Sequence, residues 1–356
     1  WIMAYTDIDK PSDYFNTKLY TGTGSSLANT GVGFQPDLTW IKGRSGATEH
    51  VLTDSVRGVT KELSSNDTVG EQTVAQGLTA FGSDGFTVGT DGSYNTSSAT
   101  YASWNFKAGT SVSGDTGGSG TAKTYTGSVN TTSGFSIIKY TGNGTAGHTI
   151  PHRLGVVPKM FIVKSPSLAD DGWFVYNGVQ GATKNFRMEA SGAVGTSIVY
   201  WNNTEPTSSV FTLGSSGGTN QNGSTYIAYI FAEVQGYSKF GSYLGNGNAD
   251  GTFVYTGFKP AFVIAKQSSA AGQGWGMWDN KRSPSNYVDL KLFVNTAAAE
   301  SDEGADGSLD FLSNGFKWRS SFGSRNGSGA TYIYWTFAEN PFVTSTDNGS
   351  IPATAR

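Results

Sequence analysis

The sequence predicts an all-β chain of three tandem antiparallel β-sandwich domains, jelly-roll-like in type, and three observations predict it. Glycine supplies 49 of the 356 residues while charged side chains make up only 14%, against about 25% in an ordinary soluble domain. One set of landmarks recurs three times in the same order along the chain. Between the landmarks lie short β-branched and aromatic runs broken by Gly, Asn and Ser, which is the punctuation of strands and turns.

Composition closes several other routes. Counting Gly and leaving Tyr aside, the apolar fraction is about 46%, the ordinary globular value of roughly 45–50%, so the chain can bury cores. Glycine has no triplet period and charge is too sparse for coiled-coil flanks. A net charge of −3 without a basic cluster leaves no footprint for phosphate backbones, so no nucleic acid is expected as a partner. The absence of Cys removes disulfide scaffolds, thiol catalysis, Cys-ligated zinc and iron–sulfur clusters. Apolar stretches such as Tyr226–Phe231 and Ala261–Ala265 fall far below the ~20 residues that cross a bilayer, so no membrane insertion is expected. The opening WIMAYTDIDKPSD lacks the basic region and apolar run of a signal peptide, and Trp1 and Ile2 precede the first Met.

The first copy, residues 1–107, opens with Tyr20-Thr-Gly-Thr-Gly24, continues through the Pro–strand–Lys segment PDLTWIK ending at Lys42 and FTVG at Phe86, and closes on TYASWNF ending at Phe106. Its DSVRGVTKEL segment, Asp54–Leu63, is the nearest thing to a helix, with an Asp start and Lys/Glu content, though Gly58 and two Val weaken it. Residues 108–133 form a Gly/Ser/Thr tract whose composition predicts a flexible linker, about which the first domain swings. The second copy, 134–234, repeats the order with Tyr140-Thr-Gly-Asn-Gly144, PKMFIVK ending at Lys164, FTLG at Phe211 and TYIAYIF ending at Phe231. The third, 235–342, has Tyr243-Leu-Gly-Asn-Gly247, PAFVIAK ending at Lys266, FKWR at Phe316 and TYIYWTF ending at Phe337. Each copy is about a hundred residues long, the size of one domain. The short joint AEVQGYSKF predicts a fixed relation between copies two and three, and the polar tail 343–356 is expected to fray.

No catalytic centre, cofactor or metal site emerges. His148 and His152 stand four apart, but Pro151 between them forbids the helix that would align them as ligands, and His50 reads as a surface residue. Glu233 with Glu339, and Asp54 with Asp279, are the natural carboxylate pairs to test. Each pair is one landmark in two copies, expected to lie farther apart than the roughly 5–10 Å that glycan hydrolysis uses. The loop Glu300–Asp310 lacks the ligand spacing of a calcium loop and reads as a solvated hairpin connection. Trp40, Trp104, Trp318 and Trp335 fall in strand patterns and read as core. Trp173 and Trp275, beside Asp and Asn, have the chemistry of a sugar-stacking face, while their recurrence argues for core. Trp201, with Asn202 and Asn203, sits in a loop that no other copy has, and is the first choice for ligand contact.

The landmarks YTGNG, the Pro–strand–Lys segment, DSVRG, SNGF, GSGATYIYWTFAENPF and the closing AR resemble a family of β-rich proteins of tailed bacteriophages, many of them marine, described as tail-fibre-like or of unknown function. The resemblance covers nearly the whole chain; copy one departs from it where its closing strand runs from Phe106 into Lys107-Ala108, while the others continue Phe-Ala-Glu. It implies a non-enzymatic structural or adhesive component on the exterior of the virion, as tail fibre, appendage or head decoration. The implied partners are other virion proteins or a host-surface glycan, and the implied assembly is a homo-oligomer, with a trimer favoured. Three similar domains in one chain could be strung along that oligomer or set around a pseudo-threefold axis of their own, and the 108–133 tract favours the string. A polysaccharide-degrading tailspike and a cell-surface carbohydrate-binding module are the alternatives, the second of which should carry an export signal.

Overall fold

The computed structural model describes residues 5–304 and 307–344. Trp1, Ile2 and the polar tail from residue 345 onward lie outside the described residues. All pairings between the described strands are antiparallel, and each copy is a large sheet faced by a three-stranded sheet. In copy one the large sheet runs in the order Phe15–Thr21, Thr100–Phe106, Leu38–Gly43, His50–Asp54, Lys61–Ser64, Gln72–Thr73, and the small sheet is Leu27–Thr30, Gly85–Val88, Leu78–Gly82. Copy three repeats both orders with Ser238–Leu244, Thr331–Pro341, Phe258–Gln267, Gly276–Asp279, Leu290–Phe293, Ser301–Asp302 and with Phe253–Tyr255, Gly315–Trp318, Leu309–Leu312. The tyrosines that open and close each copy are cross-strand partners: Tyr20 stacks on Tyr101, Tyr140 on Tyr226 and Tyr243 on Tyr332, with ring centroids 5.0, 5.2 and 4.9 Å apart.

The Gly-containing opening turn is explained by one asparagine per copy. Asn95, Asn220 and Asn326 accept from the backbone N–H of Thr23, Asn143 and Asn246 and donate to the carbonyls of Gly89, Gly214 and Ser320. The chain passes so close that a Cβ at Gly22, Gly142 or Gly245 would stand 2.2, 2.4 or 2.2 Å from a backbone oxygen, which only glycine avoids.

Two expectations are corrected. The segment Asp54–Leu63 is not a helix but a turn between two strands: Asp54 Oδ1 accepts from the N–H of Val56 (3.0 Å) and Arg57 (2.8 Å), and Gly58 takes a φ of +97°. A local side-chain bond of this kind outcompetes a weak helix former. The 108–133 tract is not a flexible linker but contributes Thr110–Asp115 and Thr124–Asn130 as a hairpin on the edge of Phe135–Thr141, making copy two's large sheet eight-stranded. Its Gly117–Gly118 also pairs with His148–Pro151 as the edge of the small sheet whose other strand is Val210–Leu213.

The central strands of every large sheet are buried on both faces. One face covers the copy's own small sheet, as with Ile41 and Val51 in copy one, Phe161 and Val163 in copy two, and Val263 and Ala265 in copy three. The other face enters one core common to all three copies, through Trp40, Trp104, Met160, Ile162, Ile264 and Trp335. Burial on both sides is why these strands read as unbroken apolar runs rather than alternating ones. At the centre Phe106, Phe231 and Phe337, the same position in three closing strands, form a closed triangle: 106 to 231 is 5.8 Å, 106 to 337 is 5.3 Å and 231 to 337 is 5.9 Å between centroids. A pseudo-threefold axis therefore runs through this triangle, beside an apolar void of about 20 Å³. The expected string of domains, with the first one swinging, is replaced by a ring of copies on a shared core.

Candidate functional site

The ring is built from bonds that repeat in the same sense around the axis. Lys42 Nζ donates to the Ala297 carbonyl (3.3 Å), Lys164 to Thr68 (3.0 Å) and Lys266 to Ser191 (3.4 Å), so each Pro–strand–Lys lysine reaches into the neighbouring copy. Burial pushes all three ammonium groups down, to about 8 for Lys42 and about 8 for Lys266. Backbone bonds repeat likewise: Glu71 N–H to Pro166 O, Val194 to Ser268 and Glu300 to Arg44, at 2.8, 3.1 and 2.9 Å.

The candidate residues chosen from the sequence fall largely inside this framework. Trp173 and Trp275 are fully buried, their indole N–H groups donating across junctions to Ser64 O (2.8 Å) and Arg187 O (3.1 Å). Trp201 is 1% exposed and lies edge-on to Phe161 at 4.9 Å. A ring without a free face cannot stack on a ligand, so these three indoles are withdrawn as contact residues. The Trp201 loop does stand where copies one and three place a strand, so Trp201 fills the core space that strand would fill. Asn202 and Asn203 take the left-handed conformation, at φ 52° and 48°, that ends the short Ile198–Trp201 helix.

The three histidines, Asp54 and Asp279 are also held by internal partners. His50 is not at the surface but fully buried, where its Nδ1 accepts from Trp40 Nε1 at 3.0 Å. His148 lies between Asn220 Oδ1 (2.8 Å) and Thr116 Oγ1 (2.6 Å), and His152 Nε2 meets Thr207 O at 3.1 Å. Asp54 and Asp279 are each locked to an arginine three residues on, Arg57 at 2.6 Å and Arg282 at 2.5 Å, with all four side chains unexposed. Tyr229 of copy two donates to Asp54 (2.7 Å) and Trp104 of copy one to Asp279 (3.1 Å). Of the loop expected to be solvated, residues 305 and 306 lie outside the described residues, and the described carboxylates 300, 303 and 310 are held by cations. Glu300 meets Arg44 and Arg282, Glu303 meets Lys291 and Arg325, and Asp310 meets Arg319. Burial raises the Glu303 carboxyl, but hydrogen bonds from Lys291 and Arg325 outweigh it and hold the group at about 2. Among the described residues no group of three His, Asp or Glu is placed to hold a metal, and no helix is long and apolar enough to cross a membrane.

Recesses open where the first strand of one copy, or a strand added to its edge, meets the neighbouring copy, and the three junctions furnish them differently. Between copies three and one, Asn16, Thr17, Asn280 and Glu339 leave only about 50 Å³. Between copies one and two a cleft of about 500 Å³ has Asp37 in its wall and Ser and Thr hydroxyls around it. Between copies two and three a groove of about 480 Å³ is lined by Tyr5, Lys159, Glu233, Gln235, Lys239 and Tyr255. Tyr255 is 53% exposed, Lys239 Nζ stands 6.0 Å from its ring centre, and Lys239 lies 3.9 Å from Glu233. Burial, then the neighbouring Tyr255, raises the Tyr5 phenol to about 12, and its hydroxyl donates to the Gly257 carbonyl, leaving its oxygen to accept. An open ring flanked by a carboxylate, an amide, amines and a phenol can stack on one face of a sugar and bond its hydroxyls. Tyr255 corresponds to Thr30 and Pro151 of the other copies. Trp201 is singled out by a loop that no other copy has; Tyr255 lies in a strand common to all three, and only the registered strands show that an aromatic ring stands there in copy three alone.

No protein of curated description and no solved structure matches the chain. A family model described as a domain of unknown function (DUF7483) matches residues 10–341, a span that takes in all three copies, and the chain belongs to that family.

Proposed function

We propose that the protein is a non-enzymatic structural and adhesive component of the exterior of a bacteriophage particle, and that the groove beside Tyr255 contacts a host-surface glycan. The observation that carries the adhesive part is that groove. It joins an exposed aromatic ring to a carboxylate, an amide and two lysines on a framework tied together across every junction. The virion setting rests on the sequence resemblance. The non-enzymatic part is supported by the state of the two aspartates first considered as an acid pair, since each is consumed by a buried arginine. Binding of the intact chain to an array of bacterial envelope glycans tests the adhesive reading. Tyr255→Ala should lower the signal about tenfold or more, from loss of stacking and of the ring's buried area, with the thermal transition unchanged. Signal equal to wild type would remove the groove from the reading, release of reducing ends would replace binding with hydrolysis, and absence of the chain from purified particles by peptide mass spectrometry would end the virion assignment.

A further inference from the structure

The cleft between copies one and two contains a carboxylate that no described cation pairs with. Asp37 is 5% exposed, and its bonds come from neutral donors: Ser55 Oγ at 2.7 Å and Ser128 Oγ at 3.3 Å on Oδ1, and the Ala108 N–H at 2.8 Å on Oδ2. A carboxylate has about four acceptor positions, so one remains on Oδ2. Asp37 and Gly109 both line the cleft, and a Cβ built on Gly109 would have only Asp37 Oδ2, at 3.9 Å, within 4 Å beyond its chain neighbours. Buried charge is costly unless paired and hydrogen-bonded, and a charge-assisted N–H bond is the strong way to complete it. The rest of the wall offers the hydroxyls of Ser111, Ser113 and Thr126 beside Gln35, Val56 and Val112, and no aromatic ring, so a flat ring finds no stacking partner there.

We propose that this cleft binds a primary ammonium group carried on a small hydroxylated frame, as in an amino sugar with a free amine. The ammonium donates to Asp37 and the frame's hydroxyls bond Ser111, Ser113 and Thr126. The site is separate from the Tyr255 groove and does not depend on it.

Calorimetric titration of the full chain with glucosamine, glucose, N-acetylglucosamine and Nα-acetyl-lysine amide tests this. Glucosamine should bind about tenfold or more tightly than glucose or N-acetylglucosamine, and more weakly as salt is added. Asp37→Asn should erase the preference for the amine, and Tyr255→Ala should leave it intact. If Asp37→Asn does not fold, Thr126→Lys brings a fixed ammonium to the cleft at an exposed position without touching the internal bonds of Asp37, and should abolish glucosamine binding. Equal binding of the acetylated and free sugars, or no binding of glucosamine at millimolar concentration, overturns the proposal. Binding of Nα-acetyl-lysine amide as tight as that of glucosamine overturns the hydroxylated frame and makes the ligand a lysine side chain.

Discussion

Asp54 and Arg57 illustrate how a single residue pair is used at one junction and dispensed with at another. Copy three repeats the pair as Asp279 and Arg282, while register places Asn177 and Gln180 at the same points of copy two. Removing one partner leaves a buried charge uncompensated, at about 3–5 kcal/mol. Replacing both by the neutral pair of copy two keeps the turn, since Asn177 Oδ1 still accepts from the Val179 N–H at 3.0 Å. Arg57→Met should therefore lose about 3–5 kcal/mol in urea unfolding, and the double variant Asp54→Asn, Arg57→Gln markedly less; an equal loss would show that the charge itself is required. Protonation gives a second test at this scale. Burial holds Lys42 and Lys266 at about 8 in the folded protein against 10.5 for an ordinary lysine amine in water. Between those values the unfolded chain binds more protons than the folded one, so stability rises with pH across that window. Thermal unfolding should show a higher midpoint at about pH 9.5 than at about pH 7.5, and Lys266→Met should flatten that rise; a falling midpoint would contradict it.

The hairpin formed by Thr110–Asp115 and Thr124–Asn130 is the element that composition misrepresents. Its burial pattern on the first strand is almost wholly exposed, so no apolar period betrays it, and Ser, Thr and Gly there look the same whether the backbone is paired or free. What fixes it is pairing, with Tyr125 opposite Tyr140 and Val129 opposite Ser136. Amide exchange at residues 125–129 should be slowed to the level of Phe135–Thr141; exchange at the rate of an unstructured peptide would restore the linker. The strands closing each copy were legible for the opposite reason. TYASWNF, TYIAYIF and TYIYWTF bury six of seven positions, so every residue type in them reports the environment. Trp173 and Trp275 were half legible: recurrence marked them as core, but that each bonds the backbone of a different copy is a relation between segments about 90 to 110 residues apart, and no local pattern encodes it. Asp37 and Tyr255 escaped because each is a lone residue whose meaning comes from the neighbouring copy across the recess.

At the scale of the whole molecule the shared core predicts one unfolding event. Phe106, Phe231 and Phe337 each touch the other two, so truncating one loosens all three copies. Phe231→Ala should cost about 3–5 kcal/mol and lower the midpoint of a single calorimetric transition, whereas a transition split into independent steps would show that the copies fold separately. The pseudo-threefold triangle has one more consequence. A ring made of three identical subunits must repeat every substitution at each of its junctions, so a residue favourable at one and harmful at another is closed to it. Here covalent continuity lifts that constraint. A carboxylate sits at one recess and an aromatic ring at a second, while the third is nearly filled. The chain keeps the mutual support of a trimer and the freedom of three separate addresses.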